Sequence, residues 1–282
     1  MFLSTLAFSL ANIIVKQVSH IPPMEVVFFR CTFASIFCFV GLYRAKADWK
    51  GSNRILLLAR GLFGTTALYF FFTTIQNIPL ASAMTIQYLS PIFTSVIAIV
   101  LLSEKVRPVQ WLFYLIAFSG VLVIEQFDNR ISPFFLGIGI LSAFCSGVAY
   151  NLVRRMREQE HPLTVVLHFQ LIGAIAGFVS LFFSWKMPSG WDWFWLFMIG
   201  VFSQLGQIFL TNALQRERAA GVAIINYTGL IYAILFGTLF FGEELVPMTM
   251  VGMALVVCGV LLSVFYVKRS ERRLAELDVT QA

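Results

Sequence analysis

The stretch "YLSPIFTSVIAIVLLSEKVRP" runs from Tyr88 to Pro108, and "YTGLIYAILFGTLFFGEELVP" runs from Tyr227 to Pro247. Each opens on tyrosine, carries an apolar run of helix length and closes on Glu-x-x-x-Pro. Adding 139 to a residue number between 68 and 124 reaches its counterpart without a gap: Gln76 with Gln215, Ala81 with Ala220, Ile86 with Ile225, Glu104 with Glu243 and Gly120 with Gly259. Such matching over a whole segment marks an internal duplication. The earlier part of the chain follows at nearly the same offset, where Lys16 corresponds to Arg154 and Pro23 to Pro162.

Working outward, the 282 residues are 59% apolar and only 12% charged, about half the charge of a typical soluble domain. Runs long enough to cross a hydrocarbon layer roughly 30 Å thick recur along the chain. The predicted spans are 2–18, 24–43, 55–76, 80–102, 109–125, 134–154, 162–185, 193–214, 219–241 and 247–267. The first lacks a basic start, carries Lys16 and precedes no small-x-small cleavage site, so it reads as a retained helix rather than a secretory signal. The short alternating segments of a membrane barrel are absent from the sequence. The expected fold is therefore all-α and integral to the membrane, with a first repeat over 1–130, a second over 131–267 and a charged tail over 268–282.

Charge placement sets the expected topology. Of 20 Lys and Arg, 15 fall in alternate connections or in the tail, while Arg130 and Lys186 alone fall in the opposite connections. The positive-inside bias then puts both termini in the cytoplasm. Five spans per repeat is an odd number, so the second repeat enters the membrane inverted. The Glu-Lys-Val-Arg-Pro link after the fourth span keeps its bases, whereas its copy, Glu-Glu-Leu-Val-Pro, has none. Inverted halves can exchange conformations of similar energy, the symmetry an alternating-access carrier needs.

These residues carry a family resemblance. "ANIIVK" ending at Lys16, "PPMEVVFFR" opening the second span, "ASAMTIQYLSPIFTSVIAIVLLSEKVRP", its copy "AAGVAIINYTGLIYAILFGTLFFGEELVP" and "GMALVVCGVLL" together resemble the drug/metabolite transporter superfamily, in particular its ten-helix EamA-type members. The resemblance covers essentially the whole chain. It implies two inverted five-helix repeats around a central cavity, moving small organic solutes by alternating access. Family members handle amino acids, S-adenosylmethionine, other metabolites and drugs, often as exporters. The sequence departs from internal symmetry at Pro91, whose counterpart is Leu230, so a proline hinge is expected only in the fourth span.

Ionisable and polar groups at membrane depth are the candidate site. Lys16 sits near the end of the first span, where its stem can reach the interface. Arg30 lies about two turns into the second span, too deep for that, and needs an acidic partner or a substrate carboxylate. Glu25 is five residues away and points to another face of the helix, so it pairs elsewhere. Arg60, near the cytoplasmic entry of the third span, reads most simply as a snorkelling anchor. His168 is a candidate for proton coupling or for hydrogen-bonded packing. Glu104 and Glu243, just ahead of Pro108 and Pro247, read as structural carboxylates at helix starts. Gln87 and Tyr88, with their counterparts Asn226 and Tyr227, form two mirrored layers that suit an amphipathic metabolite. Asn12, Tyr69, Tyr150 and Gln207 complete the candidate substrate-binding set, with Pro91 as the hinge; Asn151 and Gln204 are further polar groups at this depth.

Cys31, Cys38, Cys145 and Cys258 stand at no metal-ligand spacing and read as packing residues. Neither cofactor nor metal is called for. The sequence offers no clustered ligands and no nucleophile with a base, which argues against an enzyme. The expected partners are a small-molecule substrate and the lipid bilayer; nucleic acid is not expected, and oligomerisation is not required. No carboxylate lies deep in a span, which favours zwitterionic or anionic solutes over permanent cations. The expected function is a secondary transporter of an amino-acid-like or other zwitterionic or anionic metabolite, working as an exporter in a bacterial cytoplasmic membrane. Uptake or exchange of a nucleoside-like metabolite, multidrug efflux and a solute channel are the alternatives.

Overall fold

In the computed structural model the described residues are 2–103, 107–216, 228–244 and 246–281. They form eleven α-helices: α1 (Phe2–Gln17), α2 (Pro23–Ala45), α3 (Arg54–Asn77), α4 (Leu80–Gln87), α5 (Ser90–Leu101), α6 (Pro108–Phe127), α7 (Pro133–Arg155), α8 (Pro162–Leu181), α9 (Asp192–Arg216), α10 (Thr228–Phe241) and α11 (Pro247–Gln281). Five of these, α2, α6, α7, α8 and α11, carry proline at their first position, where the missing N–H costs nothing because that amide has no intrahelical acceptor. Eight segments are long and apolar enough to cross a membrane, with α4 and α5 counted as one; α1 and α10 are shorter apolar helices.

The surface is the inverse of a soluble protein's. Leu62, Leu115, Phe182, Phe183, Leu239 and Phe240 point outward, while Ser4, Thr5, Ser9, Asn12, Gln170 and Thr211 are buried. Lipid tails are as apolar as leucine, so nothing drives those side chains inward, and buried polar groups bind helix to helix instead. Ser4 Oγ donates to the carbonyl of Gly206 at 2.8 Å, and Asn151 Nδ2 to that of Thr94 at 2.8 Å. The chain is a multi-pass membrane protein.

The neighbour pattern exchanges the two halves. α3 packs on α7 as α9 packs on α1; α3 on α8 as α9 on α2; α5 on α7 as α10 on α1. The remaining major contacts join counterparts directly: α2 with α8, α6 with α11, and α4 with α10. The α6–α11 contact is backbone-close, because a Cβ on Gly120 would meet the Val256 nitrogen at 2.8 Å and that on its counterpart Gly259 would meet the Ala117 nitrogen at 2.7 Å.

Hydrogen bonds between connections sort the helix ends into two faces. On one, which we call the Lys16 face, Lys16 bonds the Ile78 carbonyl at 2.8 Å, Gln76 the Ile21 carbonyl at 3.2 Å, and the Lys186 amide bonds Glu25 at 3.0 Å. His20 meets Asp192 there at 3.1 Å, and Arg130 reaches the Glu244 carbonyl at 2.9 Å. On the other, the Glu160 face, the Ser52 and Asn53 amides donate to Glu160 at 2.7 and 2.6 Å, Thr164 to the Asp48 carbonyl at 2.7 Å, and Arg155 to the Leu101 carbonyl at 3.4 Å. The C-terminal end of α5 thus lies opposite the C-terminal end of α10, as an inverted second half requires.

Two departures from the sequence reading matter. The run over 80–102 is not one helix: it breaks at Tyr88 and Leu89 into α4 and α5. Pro91 has no N–H to offer the Gln87 carbonyl, and Leu89 and Ile92 both bond three residues back, at 3.0 and 2.9 Å, instead of four. At the other end of the chain, α11 continues beyond the apolar span to Gln281 rather than stopping near 267.

Candidate functional site

The helices surround a cavity of about 990 Å³ of empty space, its mouth included. Walls come from α1, α2, α3, α7, α8 and α9 and from both sides of the break between α4 and α5. Its lining is dominated by apolar and aromatic side chains, among them Phe8, Phe71, Phe72 and Phe169. A few polar groups interrupt them, the composition of a small-molecule site.

Arg30 is 2% exposed and sits on the cavity wall. Its nearest polar neighbours are neutral and distant: Gln170 Oε1 at 3.5 Å and the Cys31 sulfur at 3.6 Å, with Nε unpartnered. Gln170 is in turn linked to Gln204 at 3.2 Å. The guanidinium lies 5.4 Å from the centre of the Phe169 ring.

Arg60 corrects the sequence reading. It is no snorkelling anchor but 3% exposed and turned into the same cavity, 4.5 Å from the Phe169 ring centre, with Nε and one terminal nitrogen unpartnered. Asn53 caps α3 by accepting from the Leu56 amide at 3.2 Å, so Arg60 stands nearly two turns inside the helix. Gly64, one turn further on, leaves room for both the guanidinium and Phe169; a Cβ there would lie 2.9 Å from the Phe169 ring edge. The signal available in sequence was the small face Gly61, Gly64, Thr65 and Ala67, which marks a packed surface rather than a lipid-facing one.

Asn12, Gln87, Tyr88, Tyr150 and Gln207 also stand on the wall. Several are already engaged: Gln87 donates to Ser146 at 2.8 Å and accepts from Ser142 at 3.0 Å, Gln207 donates to Thr211 at 3.1 Å, and Asn12 rests on the Met84 sulfur at 3.3 Å. Ser146, Ser203, Thr5 and Ser90 join the wall and were not singled out from sequence. Short hydroxyls on helices serve packing and binding alike, so residue type alone gave no signal.

Other candidates lie elsewhere. Lys16 is ion-paired with Glu243 on the Lys16 face. Glu243 also receives the Leu80 amide at 2.9 Å, so it caps α4 and ties the second half to the first instead of serving only its own helix start. His168 bonds the Thr164 carbonyl one turn back at 3.0 Å, and Tyr69 is exposed on the outer side of α3. Pro91 occupies the first turn of α5 beside the break. Asn226, Tyr227 and Glu104 lie outside the described residues. Among the described residues no cluster of side chains could hold a metal ion.

A profile described as the EamA-like transporter family matches residues 1–126 and again 134–265. The chain belongs to the EamA-like transporter family. Among curated proteins, this transporter is similar to the pseudopaline exporter CntI of Pseudomonas aeruginosa, 29% identical over 258 residues that cover 90% of this chain and 91% of that one. Solute carrier family 35 member G1 of Homo sapiens is 30% identical over 261 residues, 86% of this chain and 71% of that one. The riboflavin transporter of Rhizobium johnstonii is 26% identical over 290 residues, covering 97% and 91%. A solved crystal structure shares the fold at a TM-score of 0.69 and 16% identity, covering 95% of this EamA-like chain and 98% of its own.

Proposed function

We propose that this transporter exports a small anionic or zwitterionic metabolite by alternating access, with the Glu160 face in the cytoplasm of a bacterial cell. The observation that carries the reading is the pair Arg30 and Arg60, buried on one cavity wall with no carboxylate among the described lining residues. A buried guanidinium without a counter-charge is costly, and a substrate carboxylate relieves that cost by bidentate hydrogen bonding. A permanent cation would meet repulsion from both. Asn12, Gln87, Tyr88, Tyr150 and Gln207 supply neutral polar contacts and ring faces for the rest of the solute, and Asn226 and Tyr227 are proposed to add the mirrored layer.

The break at Tyr88–Leu89, next to Pro91, supports a hinge at the cavity wall. Orientation rests on charge: Arg44, Lys46, Lys50, Arg54, Arg107, Arg154, Arg155 and Arg157 gather toward the Glu160 face, against Lys16, Arg130 and Lys186 toward the other. Export draws support from the relative named as an exporter. The test is efflux from proteoliposomes preloaded with matched carboxylates, zwitterions and organic cations. Saturable efflux of carboxylates, lost in Arg30→Gln, supports the proposal; efflux confined to cations refutes it.

A further inference from the structure

The two guanidiniums do more than attract an anion. Both lie over one ring, Phe169, at 5.4 and 4.5 Å, so the charges are within about 10 Å of each other and repel through a low-dielectric interior. The carboxylates stand elsewhere: Glu25 takes the Lys186 amide on one oxygen at the Lys16 face, Glu160 the Ser52 and Asn53 amides, Asp128 the side chain of Arg130, and Glu243 pairs with Lys16. The ion pairs of Lys16 with Glu243, His20 with Asp192 and Arg130 with Asp128 leave Arg30 and Arg60 out. Three of their buried nitrogens have no hydrogen-bond partner. A ligand with one negative charge satisfies one guanidinium and leaves the other buried and unmatched.

We propose, building on the anion reading above, that the cavity selects solutes carrying two negative charges, Arg30 and Arg60 each receiving one while the aromatic wall holds the apolar body. Two carboxylates on a short chain and a single phosphate monoester share this chemistry. The site is thus a two-point anion clamp, in which both cations contact the Phe169 ring and Gly64 leaves the space Arg60 needs.

The test is binding to the purified full-length protein in chloride-free buffer, read as the shift of its melting midpoint with ligand concentration. The probes are glutarate, its five-carbon monoanion valerate, the zwitterion norvaline and phenyl phosphate. Glutarate or phenyl phosphate is expected to bind at least tenfold more tightly than valerate, and the better of the two identifies the source of the charge. Arg30→Gln and Arg60→Gln should each bring that dianion down to the valerate level. Without ligand, the same variants should melt at the wild-type midpoint or above it, because each removes an unmatched buried charge; this separates lost binding from lost folding. Valerate binding as tightly as both dianions, still dependent on Arg30, overturns the clamp and leaves the anion reading standing. Norvaline as the sole binder also overturns the clamp. No response to any anion overturns both.

Discussion

Replacing Glu243 with Gln should loosen the Lys16 face. Its carboxylate is paired with Lys16 and caps α4, and the two side chains are only 16% and 11% exposed. Breaking a fully buried ion pair costs about 3–5 kcal/mol, whereas an exposed pair contributes about 0–1. A pair this enclosed at the membrane edge falls between, at about 2 kcal/mol. The Gln carbonyl still accepts from the Leu80 amide, so the cap survives and the loss is that of charge alone. Two kcal/mol moves the balance between closed and open about 30-fold. The assay places a single cysteine at Ser90, on the cavity wall, in a background with Cys31, Cys38, Cys145 and Cys258 replaced. A membrane-impermeant maleimide is then added on the Lys16 side. Labelling should accelerate by at least tenfold in Glu243→Gln, and equally in Lys16→Met. An unchanged rate in both variants, each eluting as a folded monodisperse species, would refute the claim that this pair holds the face shut.

Three other outcomes follow from the packing and the charges. Gly64→Val should drive a side chain into Phe169 and the Arg60 guanidinium and weaken anion binding at least tenfold with the protein still inserted, measured by the same melting shift. Gly120→Leu should destabilise the α6–α11 contact by about 1–3 kcal/mol and lower the melting midpoint, whereas Gly137→Leu, with nothing within 4 Å of its Cβ position, should not. Burial alone would raise the Asp128 carboxyl, but the paired hydrogen bonds and charge of Arg130 outweigh it and hold the carboxyl below the usual aspartate range. Its folded-state value is the depressed one, so its stabilisation is full at neutral pH and is lost as pH falls through that value. Asp128→Asn should therefore narrow the gap in melting midpoint between pH 7 and pH 3.

The helical framework was legible because its signals are long and redundant. Runs of about twenty apolar residues, alternate basic connections and the 139-residue offset each point to the same architecture. Arg30 stood out because nothing but depth explains a guanidinium two turns inside a span. Arg60 did not, since its distance from a helix end fits a snorkelling stem equally well; only the packing of α8 against Gly61 and Gly64 turns it inward. Glu243 was equally hidden, because its partners, Lys16 and the Leu80 amide, are far away in sequence and belong to the other half. The break in the fourth span was half legible: Pro91 announced a weak point, but the two-residue interruption at Tyr88 and Leu89 depends on how α4 packs against α7 and α10.

The most direct measurement is counterflow. Proteoliposomes loaded with unlabelled glutarate or phenyl phosphate are diluted into trace labelled ligand. Carrier-mediated anion exchange predicts a transient, saturable overshoot of label in the wild-type protein, abolished in Arg30→Gln and in Arg60→Gln. A wild type with no overshoot for any anion, or an overshoot that persists undiminished in both variants, would contradict the assignment of this cavity as the transport site.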